Sequence, residues 1–486
     1  MTAIANAQAT TNTLGIPVPA PTTSGRAALP DTVSNQSHPA PTPTPKPGHL
    51  AVSGKVRGYD FVRLNSQQVG SQINKHAVDF GALPHLDYRV GDSPFNIGYT
   101  YGGATGFGFN NFDGKNTFLS PASKVDDTLP GYPLNQAVHE LYIQYKDAHT
   151  MVTVGDQELN YPWMPTSDSR VLPASYRGID SQVTLSSTLS AGITRVFEFE
   201  SRNSPAFGPN NLLTGSYPGA AILNYEQFTP GTLRVSGNYH PAADLVLSAE
   251  NDEFYNVADL TYLEAKVGLD PYSRVNPYIA SQFVSEGPDG SADEGIVKNR
   301  TIGVQLGGQP VKNVTLALSG DFAPVQYADV SATSASAAEA GYFVGSGGTP
   351  DARKIGTDLY QVAYGGIASP YTDSLGTDPL YTTAITQGMV DRRTAASSYK
   401  ACVIFTNETK QLRLLVSESS FDYSNAIGRN LASEFNADGT YYFNKVRPGG
   451  YKGFFVRIRL APRQSEASAA RPQLFEYQRF QTEYDF

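Results

Sequence analysis

Arg57 and Arg63 stand with Tyr59 and Phe61 between them at every second position, Arg457 and Arg459 are two apart, and Arg479 lies near the chain end. Residues two apart share a face in a strand, so each set forms a column on one side of its segment. Fixed positive charge along a narrow, low-dielectric passage selects ions and small solutes. The structural alternative is that the same arginines pair with Glu483, Asp485 and other acids and stiffen a wall. A second feature is segment 156–178, which holds three prolines, the single tryptophan, Asp168 two residues before Arg170, and Arg177 near its end. Folded inward, it would narrow a lumen and set opposite charges beside the path. As a surface loop, its Asp–Arg pair would be worth little. The expected pore-lining and constriction set is therefore Arg57, Arg63, Asp168, Arg170, Arg177, Arg457, Arg459 and Arg479.

Signatures of enzymes are missing. There is no Gly-x-Ser-x-Gly, no His-Glu-x-x-His, no Gly-x-x-x-x-Gly-Lys-Ser/Thr and no Gly-x-Gly-x-x-Gly. The seven histidines show no metal-ligand spacing, and His139 beside Glu140 reads as a strand-surface pair. Cys402 is the only cysteine, so no internal disulfide or cysteine-based zinc site forms, and it reads as a small apolar strand residue. The expectation is a protein that is not an enzyme, with no cofactor and no metal. A barrel enzyme with a Ser-His or Asp-His site is the minor alternative.

These residues need elements to position them. The chain has 486 residues with 36 basic and 45 acidic side chains, a formal charge of −9, which argues against a nucleic-acid partner. No apolar run approaches the ~18 residues of a spanning helix, so entry into a membrane must use strands. Residues 1–50 are rich in Thr, Ala and Pro and read as a disordered tether, with Ala5-Asn6-Ala7-Gln8-Ala9 resembling the tail of a signal peptide. Residues 51–486 read as one barrel domain. About twenty runs with period-two alternation follow, among them 54–64, 216–228, 355–367, 438–446 and 474–486. Tight turns at Gly91-Asp92-Ser93-Pro94 and Ala148-His149-Thr150 alternate with long connections at 65–75, 108–134 and 158–173, the asymmetry of outer-membrane barrels. Faces split cleanly: Phe480, Thr482, Tyr484 and Phe486 lie against Arg479, Gln481, Glu483 and Asp485, and Phe454, Val456, Ile458 and Leu460 lie against Arg457 and Arg459. The fold class expected is all-β, a transmembrane antiparallel barrel of about 18 strands with an inward-folded constriction loop.

Val56-Arg57-Gly58-Tyr59-Asp60-Phe61-Val62-Arg63, then Val154-Gly155-Asp156-Gln157-Glu158-Leu159 with Asp168-Ser169-Arg170-Val171-Leu172-Pro173, and Gly453-Phe454-Phe455-Val456-Arg457-Ile458-Arg459, together resemble the first strand, third-loop region and penultimate strand of the OprD family of outer-membrane porins. The resemblance spans about residues 53–486. It implies an 18-stranded barrel, a basic ladder, and selective diffusion of small carboxylate-bearing solutes or, in some relatives, sugars. The family usually has Gly-Arg-Gln where this chain has Gly155-Asp156-Gln157, and parity leaves open whether Asp156 faces the lumen. The partners implied are small solutes, outer-membrane lipid and lipopolysaccharide, and the barrel-assembly machinery through the terminal Phe486, in a monomer or trimer. Two other readings stay open. One is a surface barrel binding a partner through long loops at 324–354 and 368–397; the other is a secreted sandwich that binds carbohydrate through its tyrosines.

Overall fold

The computed structural model describes residues 47–68, 71–106, 111–113, 134–164, 166, 170–200, 206–207, 230–255, 258–270, 273–289, 299–324, 326–331, 352–356, 359–364, 371, 397–422, 431–444, 453–465 and 473–486. The strands are β1 (Leu50–Gln68), β2 (Ser71–Arg89), β3 (Phe95–Thr105), β4 (Asn111–Asp113), β5 (Leu134–Lys146), β6 (Thr150–Gln157), β7 (Ser175–Thr184) and β8 (Leu189–Glu200). They continue with β9 (Thr232–Ala242), β10 (Leu245–Phe254), β11 (Ala258–Gly268), β12 (Tyr278–Pro288), β13 (Asn299–Val311), β14 (Val314–Phe322), β15 (Gln326–Ser331), β16 (Ala352–Lys354) and β17 (Leu359–Tyr364). The last are β18 (Ser397–Thr406), β19 (Leu412–Asp422), β20 (Leu431–Tyr442), β21 (Gly453–Ser465) and β22 (Gln473–Asp485).

Eighteen of these form the wall, each antiparallel to both neighbours, and β1 closes the ring against β22 with Lys55 opposite Asp485 and Arg57 opposite Glu483. Closure removes the unpaired edges that an open sheet of this size would carry. The short β4 extends the wall beside β2, and β15, β16 and β17 make a separate small sheet.

The side-chain distribution is inside out. Ile143, Ile193, Ile302, Leu318 and Ile458 are each more than half exposed on the outer face, while Asp79, Gln305, Ser419, Glu434 and Asn436 are fully buried inside. Water could not stabilise such an exterior, whereas hydrocarbon can, so the barrel spans a membrane. Aromatic contacts cluster where the short turns lie: Phe95 with Tyr145, Tyr441 with Phe443, Phe443 with Phe454, and Tyr484 with Phe486. Tight connections there are set by local chemistry. Lys312 and Asn313 join β13 to β14, with Asn313 at φ 69°, the left-handed conformation a two-residue hairpin needs.

Of the expected strands, 216–228 lies outside the described residues, and 355–367 contributes β17 to the small sheet rather than a wall strand. The connection expected at 65–75 is instead mostly strand, since β1 runs to Gln68 and β2 starts at Ser71. Asn65 to Gln68 are polar at every position, so no alternation marks them as strand. The expected 438–446 begins too late, because β20 starts at Leu431. Its outward Ser433, Ala437 and Gly439 are small, which hides the period-two signal.

Candidate functional site

The arginine columns converge on one wall. Arg57 on β1, Arg479 on β22 and Arg457 with Arg459 on β21 all point inward and are buried. Arg57 Nε donates to Glu483 Oε2 at 2.5 Å on the adjacent strand. Asp438 on β20 accepts from Arg457 Nε and Nη2 at 2.8 and 2.5 Å and from Arg459 Nε and Nη2 at 3.2 and 3.0 Å. Arg459 and Arg479 sit directly opposite each other in register, a like-charge juxtaposition that needs such a counter-charge. Arg479 lies over the Tyr59 ring, 5.1 Å from its centroid. Arg57 therefore pairs with Glu483 as the structural alternative held, while Arg457 and Arg459 pair with Asp438, a residue sequence reasoning passed over. The side chain of Arg63 is outside the described residues.

The described residues of the connection from Gln157 to Ser175 fold inward and dock on both sides of the lumen. On the basic wall, Arg57 Nη1 donates to the Val171 carbonyl at 3.4 Å, and Arg170 lies 5.9 Å from the Phe61 ring centroid. Val171 occupies the space that a side chain at position 81 would fill, so Gly81 is the seat of the loop on β2. Leu172 joins Tyr59, Leu83, Ala104 and Val171 in one buried cluster. Across the lumen, Tyr161 inserts into a socket. Its ring lies 3.5 Å from the Arg234 guanidinium, and its hydroxyl donates to Asp180 Oδ1 at 2.8 Å and accepts from Gln182 Nε2 at 2.5 Å. Burial pushes the Tyr161 phenol far above its ordinary range, which keeps that hydroxyl a donor. Trp163 meets Tyr262 of β11 edge-on. Asp168 lies outside the described residues, so its position opposite Arg170 is not described.

Asp156 is buried, lies opposite Leu141 in register and takes Arg177 through Nε at 2.7 Å and Nη2 at 3.1 Å. Arg177 also donates from Nη1 to Glu198 at 2.6 Å and keeps a half-exposed side chain, next to a register shift that leaves Phe197 of β8 unpaired. His139 is no surface residue. A bulge opposite Thr100 and Tyr101 turns both His139 and Glu140 inward, and His139 lies buried between Glu158 at 3.2 Å and Glu200 at 3.4 Å. The bulge breaks parity, so the placement of His139 was not readable from alternation.

One more long connection reaches the interior. Tyr371, between β17 and β18, is buried with Tyr278 and Ala280, and its hydroxyl donates to Glu264 Oε1 at 2.7 Å. No sequence signal singled it out.

A closed eighteen-stranded membrane barrel with polar interior and an inward loop braced on two walls is the architecture of outer-membrane channels. No family model matches the chain, and no curated protein matches it. Among solved structures, OccK9 (OpdG) of Pseudomonas aeruginosa aligns with 13% identity over 90% of this chain and 98% of its own, TM-score 0.61. OpdK of the same organism, solved with vanillate, gives 13%, 90%, 98% and 0.61, and a BenF-like porin from Pseudomonas fluorescens Pf-5 gives 12%, 90%, 98% and 0.61. At these identities the likeness is one of fold, and it is the fold that the resemblance to the OprD family implied.

Proposed function

We propose that the chain is a bacterial outer-membrane porin through which small hydrophilic solutes diffuse passively, with carboxylate-bearing solutes preferred at the arginine wall. The observation that carries this reading is the inward loop seated on that wall, where Arg57 donates to the Val171 carbonyl and Arg170 lies over the Phe61 ring. The wall set Arg57, Arg63, Arg457, Arg459 and Arg479, with Asp168, Arg170 and Arg177 of the loop region, is the solute-facing set of this reading. Asp156 is neutralised by Arg177, so the departure from the family's Gly-Arg-Gln adds no free negative charge there. Vanillate in the OpdK structure is a carboxylate held by a protein of the same fold, which supports the class. The outer belt would face outer-membrane lipid and lipopolysaccharide. In this reading Phe486, bonded through its backbone to Gly54 at 3.0 and 3.2 Å across the closing seam, is the terminal aromatic that the assembly machinery would read. No chemical step and no cofactor enter this function.

Swelling of liposomes containing the refolded protein tests the solute class, with arginine, benzoate and a disaccharide compared at equal osmolarity. Fastest entry of benzoate, reduced by Arg170→Gln, is the expected result. Equal rates for all three, unaltered by that substitution, would contradict the preference.

A further inference from the structure

Beneath Tyr161 lies a second set of charges that the diffusion pathway does not use. Arg234 on β9 is fully buried and donates from Nη2 to Glu250 Oε2 at 2.6 Å. Asp252, two positions along β10 and therefore on the same inward face, is fully buried and within reach of Glu250. Neither Asp252 oxygen has a hydrogen-bond partner, nor does Glu250 Oε1, and Arg234 leaves Nε and Nη1 without acceptors, so it does not satisfy Asp252. Asp180, close to the same guanidinium, accepts at Oδ1 from Tyr161, Gln182 and Thr194. Three carboxylates therefore lie about one guanidinium, and those of Glu250 and Asp252 keep oxygens without donors. A buried carboxylate with no donor is among the costliest arrangements a protein can hold.

We propose that Glu250 and Asp252 bind one hard divalent cation of the calcium class. Three buried carboxylate oxygens on one inward face of β10 lack donors, and a cation would supply what they lack. Carboxylate oxygen is the donor type such an ion takes, with water or backbone carbonyls completing the shell. Bound there, the ion neutralises the wall on which Tyr161 is seated and so fixes the loop from outside the solute path. The inference does not depend on the chain's being a channel, because binding is read without a bilayer.

The chain's single tryptophan supplies the probe. Trp163 contacts Tyr262, the register partner of Glu250, so terbium bound at this site is excited through it. The full chain, refolded in detergent and stripped with EDTA, is titrated with terbium and then with calcium. Saturable tryptophan-sensitised emission near one ion per chain, displaced by calcium and weakened about tenfold or more by Asp252→Asn or Glu250→Gln, is the expected result. Heat-modifiable gel migration confirms that each variant is folded, and Glu408→Gln, on an exposed turn, should change nothing. Absence of saturable emission, or equal affinity in both folded variants and the parent, would overturn the site.

Discussion

Asp438 carries more of the basic wall than any arginine in it, because one carboxylate holds both Arg457 and Arg459. Removing one partner of a buried ion pair leaves an uncompensated charge, at a cost of about 3–5 kcal/mol. Asp438→Asn should therefore lower the urea midpoint of the folded band on a gel, and the surviving channels should shift their reversal potential toward anions. A midpoint and potential equal to the parent's would show that the wall does not depend on this residue. The arginines were legible because they recur at period two within strongly alternating strands. Asp438 was not, since its immediate neighbours on the strand are the small Ala437 and Gly439, which give little apolar contrast beside it. Tyr161 and Arg234 were equally silent: their pairing joins residues far apart in the chain, and no spacing announces it.

At the level of elements, the inward loop and the short turns are fixed by particular side chains. Gly81 leaves the room that Val171 fills, so Gly81→Val should overpack the seat, cost about 1–3 kcal/mol and loosen the loop. Red-shifted emission of buried Trp163 would report that, and an unchanged spectrum with an unchanged urea midpoint would contradict it. The β5–β6 turn is held by Asp147, whose carboxylate accepts the Tyr145 hydroxyl at 2.6 Å and the backbone N–H groups of His149 and Thr150 at 2.8 and 2.7 Å. The Tyr145 hydrogen bond first, then these two, hold its pKa below the usual carboxylate range. A lowered folded-state pKa gives stability that is present above the unfolded value of ~3.9 and lost as pH falls through the folded one. Asp147→Asn should remove that acid-side loss, seen as a flatter dependence of unfolding on pH below about 4. The tight turn at Gly91-Asp92-Ser93-Pro94 was readable from its residue types, whereas the β1–β2 extension and the bulges at His139 and Phe197 were not, because parity fails where strands leave the membrane or gain a residue.

For the whole molecule, the apolar exterior decides where the barrel lives. Leu318, on the outer face of β14, is well exposed, while Gln305 on neighbouring β13 is fully buried inside. Leu318→Lys should destabilise the folded barrel in lipid by about 2–4 kcal/mol, most severe near the bilayer midplane. Equal stability in refolding titrations from urea into vesicles would mean that this face does not meet hydrocarbon. Strand number was legible almost completely, since period-two alternation with a polar inner face recurs around the ring. What the alternation could not reveal was how long connections fill the interior, as with Tyr371 on Glu264.

The central claim is that this barrel is an open, selective path. Single-channel recording of the refolded protein in a planar bilayer tests it most directly, with reversal potential taken under a salt gradient and benzoate then added. Discrete conductance steps that benzoate blocks are predicted. A protein that migrates as a folded barrel yet passes no current at any voltage would contradict the account.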